Sequence, residues 1–224
     1  MNPEEHILQS WHTNANAWTN AINQQSIESR KLATNKAIVD AIVQQHPLTM
    51  LDVGCGEGWL CRAVQQHGID TTGIDAIPAL VQAAKQQGDG AYHVCSYQDL
   101  LAGKFDTSKR FDVIVFNFSL FGEELAEDLL KALQNYLSPG GKLIIQTLHP
   151  MSASIEPPYE TGWRNGSWAG FSDDFTDPAP WYFRTLASWV QLFTDTGYIL
   201  HQLSEPIHPN TGKPASVIFI CMRR

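Results

Sequence analysis

The sequence predicts an α/β protein built on a seven-stranded, mostly parallel sheet that ends antiparallel and carries helices on both faces. Three observations support this. Apolar β-type runs alternate with helical patterns through the middle of the chain, the arrangement that lays parallel strands beneath covering helices. The last two apolar runs are joined by a linker too short for a crossover helix, so they pair antiparallel. The 224 residues, 43% of them apolar, suit one domain whose core needs neither disulfides nor a metal.

The elements follow in order. Residues 4–46 read as polar helix, with Trp11 and Trp18 seven apart, and form either a helical cap (residues 1–46) or a plain docking face. Thr49 to Val53 is the first strand, and a helix from Trp59 to Gln66 is stopped by Gly68. Asp70 to Ile74 is the second strand, and Pro78 opens the next helix at a position that suits proline. Ala91 to Cys95 and Phe111 to Phe116 are the third and fourth strands. Leu125, Leu129, Leu133 and Leu137 recur every four residues and predict a helix, with Glu123 and Glu124 at its start and Ser138-Pro139-Gly140-Gly141 as its stop.

Lys142 to Leu148 is the fifth strand. From 149 to 183 neither period is visible. Pro150, Pro157, Pro158, Pro178 and Pro180 punctuate a stretch holding Trp163, Trp168 and Trp181. So long an irregular segment in a compact domain reads as a lid or substrate-binding insertion. Leu186, Trp189, Val190 and Phe193 then mark an amphipathic helix that Gly197 caps. Tyr198 to Leu203 and Ala215 to Met222 close the sheet.

Charge and cysteine usage narrow the function. The net charge is −8, and no basic cluster appears beyond Lys109-Arg110 and Arg223-Arg224, which argues against a nucleic-acid partner. Cys55, Cys61, Cys95 and Cys221 are scattered and read as reduced thiols, and no residues show metal-ligand spacing. The acidic start at Glu4-Glu5 is unlike a signal peptide, and nothing approaches the roughly 20 apolar residues of a membrane span. A cytoplasmic protein is expected.

The chemistry concentrates in Leu51-Asp52-Val53-Gly54-Cys55-Gly56-Glu57-Gly58. Gly54, Gly56 and Gly58 let the backbone turn tightly and approach a ligand with no Cβ in the way. The spacing is G-x-G-x-G, whereas a dinucleotide fingerprint is G-x-G-x-x-G. Asp52, two residues ahead of the first glycine, would repel a pyrophosphate but suit a cationic amino acid moiety or a sulfonium. Asp75 lies roughly 20 residues beyond the glycines, where a strand-end carboxylate accepts hydrogen bonds from ribose hydroxyls. The two carboxylates fit the two ends of an aminoacyl-adenosine ligand.

These residues, together with Gly73-Ile74-Asp75, Phe111-Asp112-Val113-Ile114-Val115-Phe116-Asn117-Phe118-Ser119 and Leu137-Ser138-Pro139-Gly140-Gly141-Lys142-Leu143, resemble the class I S-adenosylmethionine-dependent methyltransferases, in their type 11 and 12 small-molecule group. The resemblance is strong over residues 30–148 and looser in the C-terminal third. It implies a Rossmann-like fold with an antiparallel C-terminal strand, one methyltransferase domain over 1–224, S-adenosyl-L-methionine as cofactor and a small-molecule acceptor. It places Gly54, Gly56, Asn117 and Phe118 at the methionine part of the cofactor, and Asp75 with Ala76 at the ribose. The aspartate that family members often place against the adenine amine is missing; Ser96 or the Tyr97 backbone stands there instead.

His149 ends the fifth strand on the edge where open α/β sheets hold ligands, and is the candidate general base, or else a histidine bonded to neighbouring backbone. Trp163, Trp168, Trp181 and Tyr182 on the lid either shape an apolar acceptor pocket or anchor a long loop, and Arg184 either holds an anionic substrate group or makes a surface ion pair. A nicotinamide oxidoreductase would want G-x-G-x-x-G and a parallel sixth strand. Amino-directed nucleic-acid methylation would want Asn/Asp-Pro-Pro-aromatic after the fourth strand, where Asn117-Phe118-Ser119-Leu120 stands. A protein acceptor and a non-catalytic cofactor binder remain as alternatives.

Overall fold

The computed structural model of the chain describes residues 1–105, 108–153 and 158–224; residues 154–157 of the expected lid, Pro157 among them, lie outside the described residues. The chain opens with α1 (Pro3–Asn23), started by a reciprocal cap in which Asn2 Oδ1 accepts from Glu5 N and Glu5 Oε2 from Asn2 N, with Pro3 at the first helical position. A five-residue π turn, Arg30–Thr34, runs into α2 (Asn35–Val43). The alternation then runs β1 (Thr49–Val53), α3 (Trp59–Gln65), β2 (Asp70–Asp75), α4 (Pro78–Gln87), β3 (Ala91–Val94), α5 (Tyr97–Leu101), β4 (Phe111–Asn117), α6 (Ala126–Leu133) and β5 (Leu137–Thr147), the expected order with one short helix, α5, beyond those expected. The chain closes with β6 (Gly162–Arg164), β7 (Trp181–Phe183), α7 (Leu186–Asp195), β8 (Tyr198–Ser204) and β9 (Val217–Arg223).

The main sheet has seven strands in the order β3-β2-β1-β4-β5-β9-β8. The first five are parallel, and β9 pairs antiparallel with both β5 and β8. The expected mixed sheet is therefore present. Strand order reverses between β1 and β4, the switch point outside which open α/β sheets leave a crevice.

Strand pleating divides the core in two, because successive side chains face opposite sides. Ile114 and Phe116 of β4 join Leu129, Leu130 and Leu133 of α6 and Trp189 and Phe193 of α7. Val113 and Val115 face the other side, with Ile38 and Ile42 of α2, Leu60 and Val64 of α3 and Val81 of α4. Helices thus cover both faces, and the central strands read as near-continuous apolar runs for that reason.

Four expectations need correction. The helix predicted through Leu125, Leu129, Leu133 and Leu137 covers only Ala126–Leu133; Leu137 is the first residue of β5, and Ser138-Pro139-Gly140-Gly141 forms the irregular start of that strand, where its register with β4 shifts. Leu137 is buried because the sheet needs it, so its spacing imitated a helical period. Glu123 and Glu124 precede the helix, and Glu127 and Asp128 occupy its first turn. The 149–183 stretch contains a two-stranded sheet, β6 with β7, whose three-residue strands are too short to show a period. Val190 is 42% exposed, outside the buried stripe that Trp189 and Phe193 form.

The closing antiparallel corner rests on a ring cluster. Phe219 of β9 lies 5.6 Å from Trp189 and 5.3 Å from Phe193 between ring centroids, and all three are buried. Phe219→Ala is expected to lower unfolding free energy by about 3–5 kcal/mol, read from the denaturant midpoint at unchanged m-value.

Candidate cofactor and acceptor site

The crevice is assembled from the loops that follow β1, β2 and β4, with α1 lying across it. The glycine turn leaves β1 with Gly54, Gly56 and Gly58 all at positive φ, so a tight left-handed path is obligatory there. A Cβ at Gly54 would lie 2.4 Å from Ser119 Cβ, so this glycine also admits the loop after β4. Backbone N–H groups of Gly54 and Cys55 donate to Ile74 O at 2.8 and 2.9 Å, tying the turn to β2.

Asp75 closes the arrangement. Its Oδ2 accepts from Gly56 N at 2.8 Å and its Oδ1 from Ile77 N at 2.9 Å, so one carboxylate holds the loops after both β1 and β2. An ionised carboxylate has about four acceptor positions, which leaves capacity on both oxygens for a ligand. Burial nonetheless pushes its pKa up, against those two backbone bonds.

Asp52 is fully buried, accepts from Cys61 Sγ through Oδ2 and has no partner for Oδ1. Burial, with a smaller contribution from Asp75 and Glu57, raises its pKa to about 8. Glu57, inside the glycine motif, is also fully buried. Its Oε1 accepts from Trp59 N and meets Arg62 at 3.3 Å, while Oε2 has no partner. Burial raises its pKa, opposed first by Arg30.

Arg30, from the π turn, is the cation of this cluster. Its guanidinium lies over Trp59 at 4.6 Å and over Trp18 at 5.4 Å, and Nη2 has no partner. Burial lowers its pKa to about 10, which leaves it charged at neutral pH. Three buried carboxyl groups and one buried guanidinium thus lie along one crevice, with unpaired buried atoms on Asp52, Glu57 and Arg30.

Of the expected cofactor residues, Asp52, Gly54, Gly56, Asp75, Ala76, Tyr97, Asn117 and Phe118 line this crevice together. Asn117 Oδ1 is buried without a partner, and Phe118 sits at φ +53°, a strained backbone for an aromatic residue and one that clusters at functional sites. Two expected residues are elsewhere. Gly58 caps the start of α3, where a Cβ would meet the Tyr92 hydroxyl at 2.8 Å; it serves packing. Ser96 caps α5 in a reciprocal box with Asp99, so its hydroxyl is already used, and Gln98 takes its place in the crevice lining.

Beside the crevice lies a second, largely apolar cavity of about 290 Å³. The two share Ile7, Trp11, Trp18, Arg30, Phe118 and Phe121 as walls. Trp168 and Trp181 of the expected lid line the second cavity. Trp163, Tyr182 and Arg184 do not. Trp163 donates to Glu123 Oε2 at 2.9 Å and stacks edgewise on Tyr182, whose N–H donates to Phe121 O. Arg184 is buried rather than in a surface ion pair, its guanidinium 4.7 Å from the Tyr182 ring and 5.2 Å from Trp189, and burial lowers its pKa to about 10.

His149 is likewise withdrawn. It is 3% exposed and lines neither cavity. Its Nδ1 accepts from Met151 N at 3.1 Å, which assigns the proton to Nε2, 2.7 Å from Glu205 Oε1. Both ring nitrogens are committed, the geometry of a structural histidine.

Residues not singled out from sequence also shape the site: Glu4, Arg30, Glu57, Gln98 and Phe121. Glu57 lay in plain view within the glycine motif. Arg30 and Glu4 sit in polar helical sequence where no period or motif distinguishes them. Among the described residues no cluster of His, Cys, Asp or Glu has metal-binding geometry, and no helix is long and apolar enough to cross a membrane.

The sequence matches the family model described as a methyltransferase domain over residues 12–203. It is 31% identical over 131 residues to a ubiquinone biosynthesis O-methyltransferase of Xylella fastidiosa (strain 9a5c), covering 55% of this chain and 52% of that protein. A protein of the same name from Xanthomonas oryzae pv. oryzae (strain PXO99A) is 32% identical over 111 residues, covering 47% and 45%. The chain thus spans about half the length of the curated relatives it matches. Its fold is similar to that of a putative S-adenosylmethionine-dependent methyltransferase from Listeria monocytogenes, with TM-score 0.65, 18% identity, and 84% of this chain and 97% of that one covered. It is also similar to a glycopeptide N-methyltransferase solved with S-adenosyl-L-methionine, with TM-score 0.63, 13% identity and coverage of 83% and 92%.

Two predictions follow from the buried groups. Asp52 binds a proton more tightly folded (about 8) than at its ordinary value of 3.8, so between those limits the native state holds more protons than the unfolded one. Its stability contribution is complete below pH 4 and is lost as pH rises toward 8, by at most about 1.4 kcal/mol per pH unit. Denaturant titrations from pH 4 to 8 should show the wild type losing stability relative to Asp52→Asn across that window; parallel curves would refute the assignment. For His149, His149→Gln should cost about 1–3 kcal/mol of stability, the scale of a broken buried hydrogen bond, with S-adenosylhomocysteine affinity unchanged.

Proposed function

Because the chain belongs to the class I S-adenosylmethionine-dependent methyltransferases, matching the methyltransferase-domain model over residues 12–203, we propose that it binds S-adenosyl-L-methionine and methylates a small molecule. The observation that supports the cofactor best is the pairing of unfilled buried groups. Asp52 Oδ1 and Asn117 Oδ1 are acceptors without donors, and Arg30 Nη2 is a donor without an acceptor, all on residues of one crevice. A methionine moiety carries both complements, an ammonium and a carboxylate.

The residues present fit the group along its length. Asp52 and Asn117 would receive the ammonium, and Arg30 the carboxylate, held rigid between two tryptophan faces. Gly54 and Gly56 give close backbone approach. Asp75 would accept from the ribose hydroxyls with the oxygen capacity left after Gly56 N and Ile77 N. Ala76, Ile77 and Leu80 offer an apolar face for a base, with the Gln98 amide at its edge. When bound, the cofactor supplies an electrophilic methyl group on a sulfonium.

The chain's own contribution is then placement. The second cavity shares a wall with the first, so an acceptor held there lies beside the cofactor crevice without crossing solvent, and orientation of that kind supplies much of a rate enhancement. The 1–46 segment acts as cap, through α1, and the described part of 149–183 as lid. With both His149 nitrogens committed, the residues lining the cavities rather than His149 carry the reading.

Calorimetric titration tests it. S-Adenosylmethionine and S-adenosylhomocysteine should bind the wild type, and Asp75→Ala should weaken both by about 10–100-fold, equivalent to about 1.4–2.8 kcal/mol, the scale of lost hydrogen bonds to a charged group. A wild type that binds neither overturns the reading.

A further inference from the structure

The second cavity has a chemistry of its own, and it is read by the π turn. Its walls include the rings of Trp11, Trp18, Phe118, Phe121, Trp168 and Trp181, and Arg30 is the one ionisable side chain among its described lining residues. Arg30 also faces the cofactor crevice, where the methionine carboxylate would neutralise it. Burying an unpaired charge in such surroundings is costly, so the walls favour an uncharged, flat, apolar body.

Besides Arg30, the hydroxyls of Ser10, Ser29, Thr34 and Ser167 interrupt the apolar lining. Thr34 lines the cavity, is 3% exposed, and its Oγ1 has no hydrogen-bond partner. In an α-helix a threonine hydroxyl commonly bonds the carbonyl four residues back. Here the π turn directs Asn35 N to Arg30 O, and Thr34 Oγ1 bonds neither that carbonyl nor any other group. Ser10 donates to Asp177 O at 2.6 Å, Ser167 accepts from Ala169 N at 3.0 Å, and Ser29 is only half-buried, so Thr34 carries the one buried unpaired hydroxyl among the described lining residues. Irregular π turns of this kind recur at functional sites, and this one delivers two side chains with unfilled buried atoms, Arg30 and Thr34, to adjoining cavities.

Resting on the cofactor reading above, we propose that Thr34 is a specificity-determining residue of the acceptor site, and that the acceptor is an uncharged flat aromatic molecule bearing a hydroxyl that bonds Thr34 Oγ1. The rings supply affinity for the aromatic body. The hydroxyl contact supplies discrimination, because a ligand without that group leaves Thr34 desolvated and unpaired.

The test is binding of 2-naphthol and of naphthalene, by calorimetry, to protein saturated with S-adenosylhomocysteine. Wild type should prefer 2-naphthol. Thr34→Val, which keeps the shape and removes the hydroxyl, should weaken 2-naphthol by about 5–20-fold and leave naphthalene unchanged. Thr34→Ser should restore the preference, and S-adenosylhomocysteine affinity should be equal in all three proteins. Such a split separates recognition from loosened packing, which would weaken both aromatics together. Equal effects on the two ligands, no effect of Thr34→Val on 2-naphthol, or no binding of either aromatic to wild type holding S-adenosylhomocysteine overturns the proposal. Failure of wild type to bind S-adenosylhomocysteine at all overturns the cofactor reading, and this proposal with it.

Discussion

The bond pair at Asp75 is the constraint on which the site depends. A parallel sheet with a strand-order reversal leaves two loops side by side at the carboxyl ends of β1 and β2, each with backbone N–H groups that the sheet does not satisfy. Asp75 answers both, through Gly56 N and Ile77 N. The position and direction of the glycine turn then follow, and with them the burial of Asp52 and Glu57 beneath it. A residue at the end of β2 thus shapes the loop after β1, which is why the two segments act as one unit although 19 positions separate Gly56 from Asp75.

Holding three carboxyl groups under one turn is electrostatically unfavourable, and the structure shows how the load is distributed. Desolvation raises Asp52, Glu57 and Asp75 alike. Glu57 has Arg62 and Arg30 as counter-charges, and Asp75 has backbone donors, whereas Asp52 has only a thiol and an open oxygen. The least compensated group is therefore the one that, under the proposed function, would face the cationic end of the cofactor, and part of the intrinsic binding energy would go into ionising it.

The sheet was legible because its signals are local and redundant. The apolar run Phe111 to Phe116, the glycines after Val53 and the short linker before the last strand each point to one outcome. The glycine turn, Asp75 and Asn117 were legible for the same reason, as strand-end residues in register with a motif. Leu137 misled because burial in a sheet and burial on a helix look identical at a spacing of four. The sequence leaves Trp163, Trp168, Trp181, Tyr182 and Arg184 with two readings each because an aromatic-rich loop has two sides, and only packing puts Trp168 and Trp181 in the cavity lining. Arg30 and Thr34 were invisible: a π turn has no sequence period, and an unfilled hydroxyl is a property of its surroundings.

The α1 helix is stitched to the loop beside it along a single face. His6 meets Asp177 Oδ1 at 2.8 Å, Ser10 donates to Asp177 O, and the Asn14 amide exchanges two bonds with Thr176. At the helix start Glu4 accepts from the N–H groups of Glu123 and Glu124. The same helix walls both cavities through Ile7, Trp11 and Trp18. In kinetic language the two compartments share one gate. A displacement of α1 would alter both walls together, so under the proposed function release of a methylated product and exchange of spent cofactor would draw on a common activation barrier.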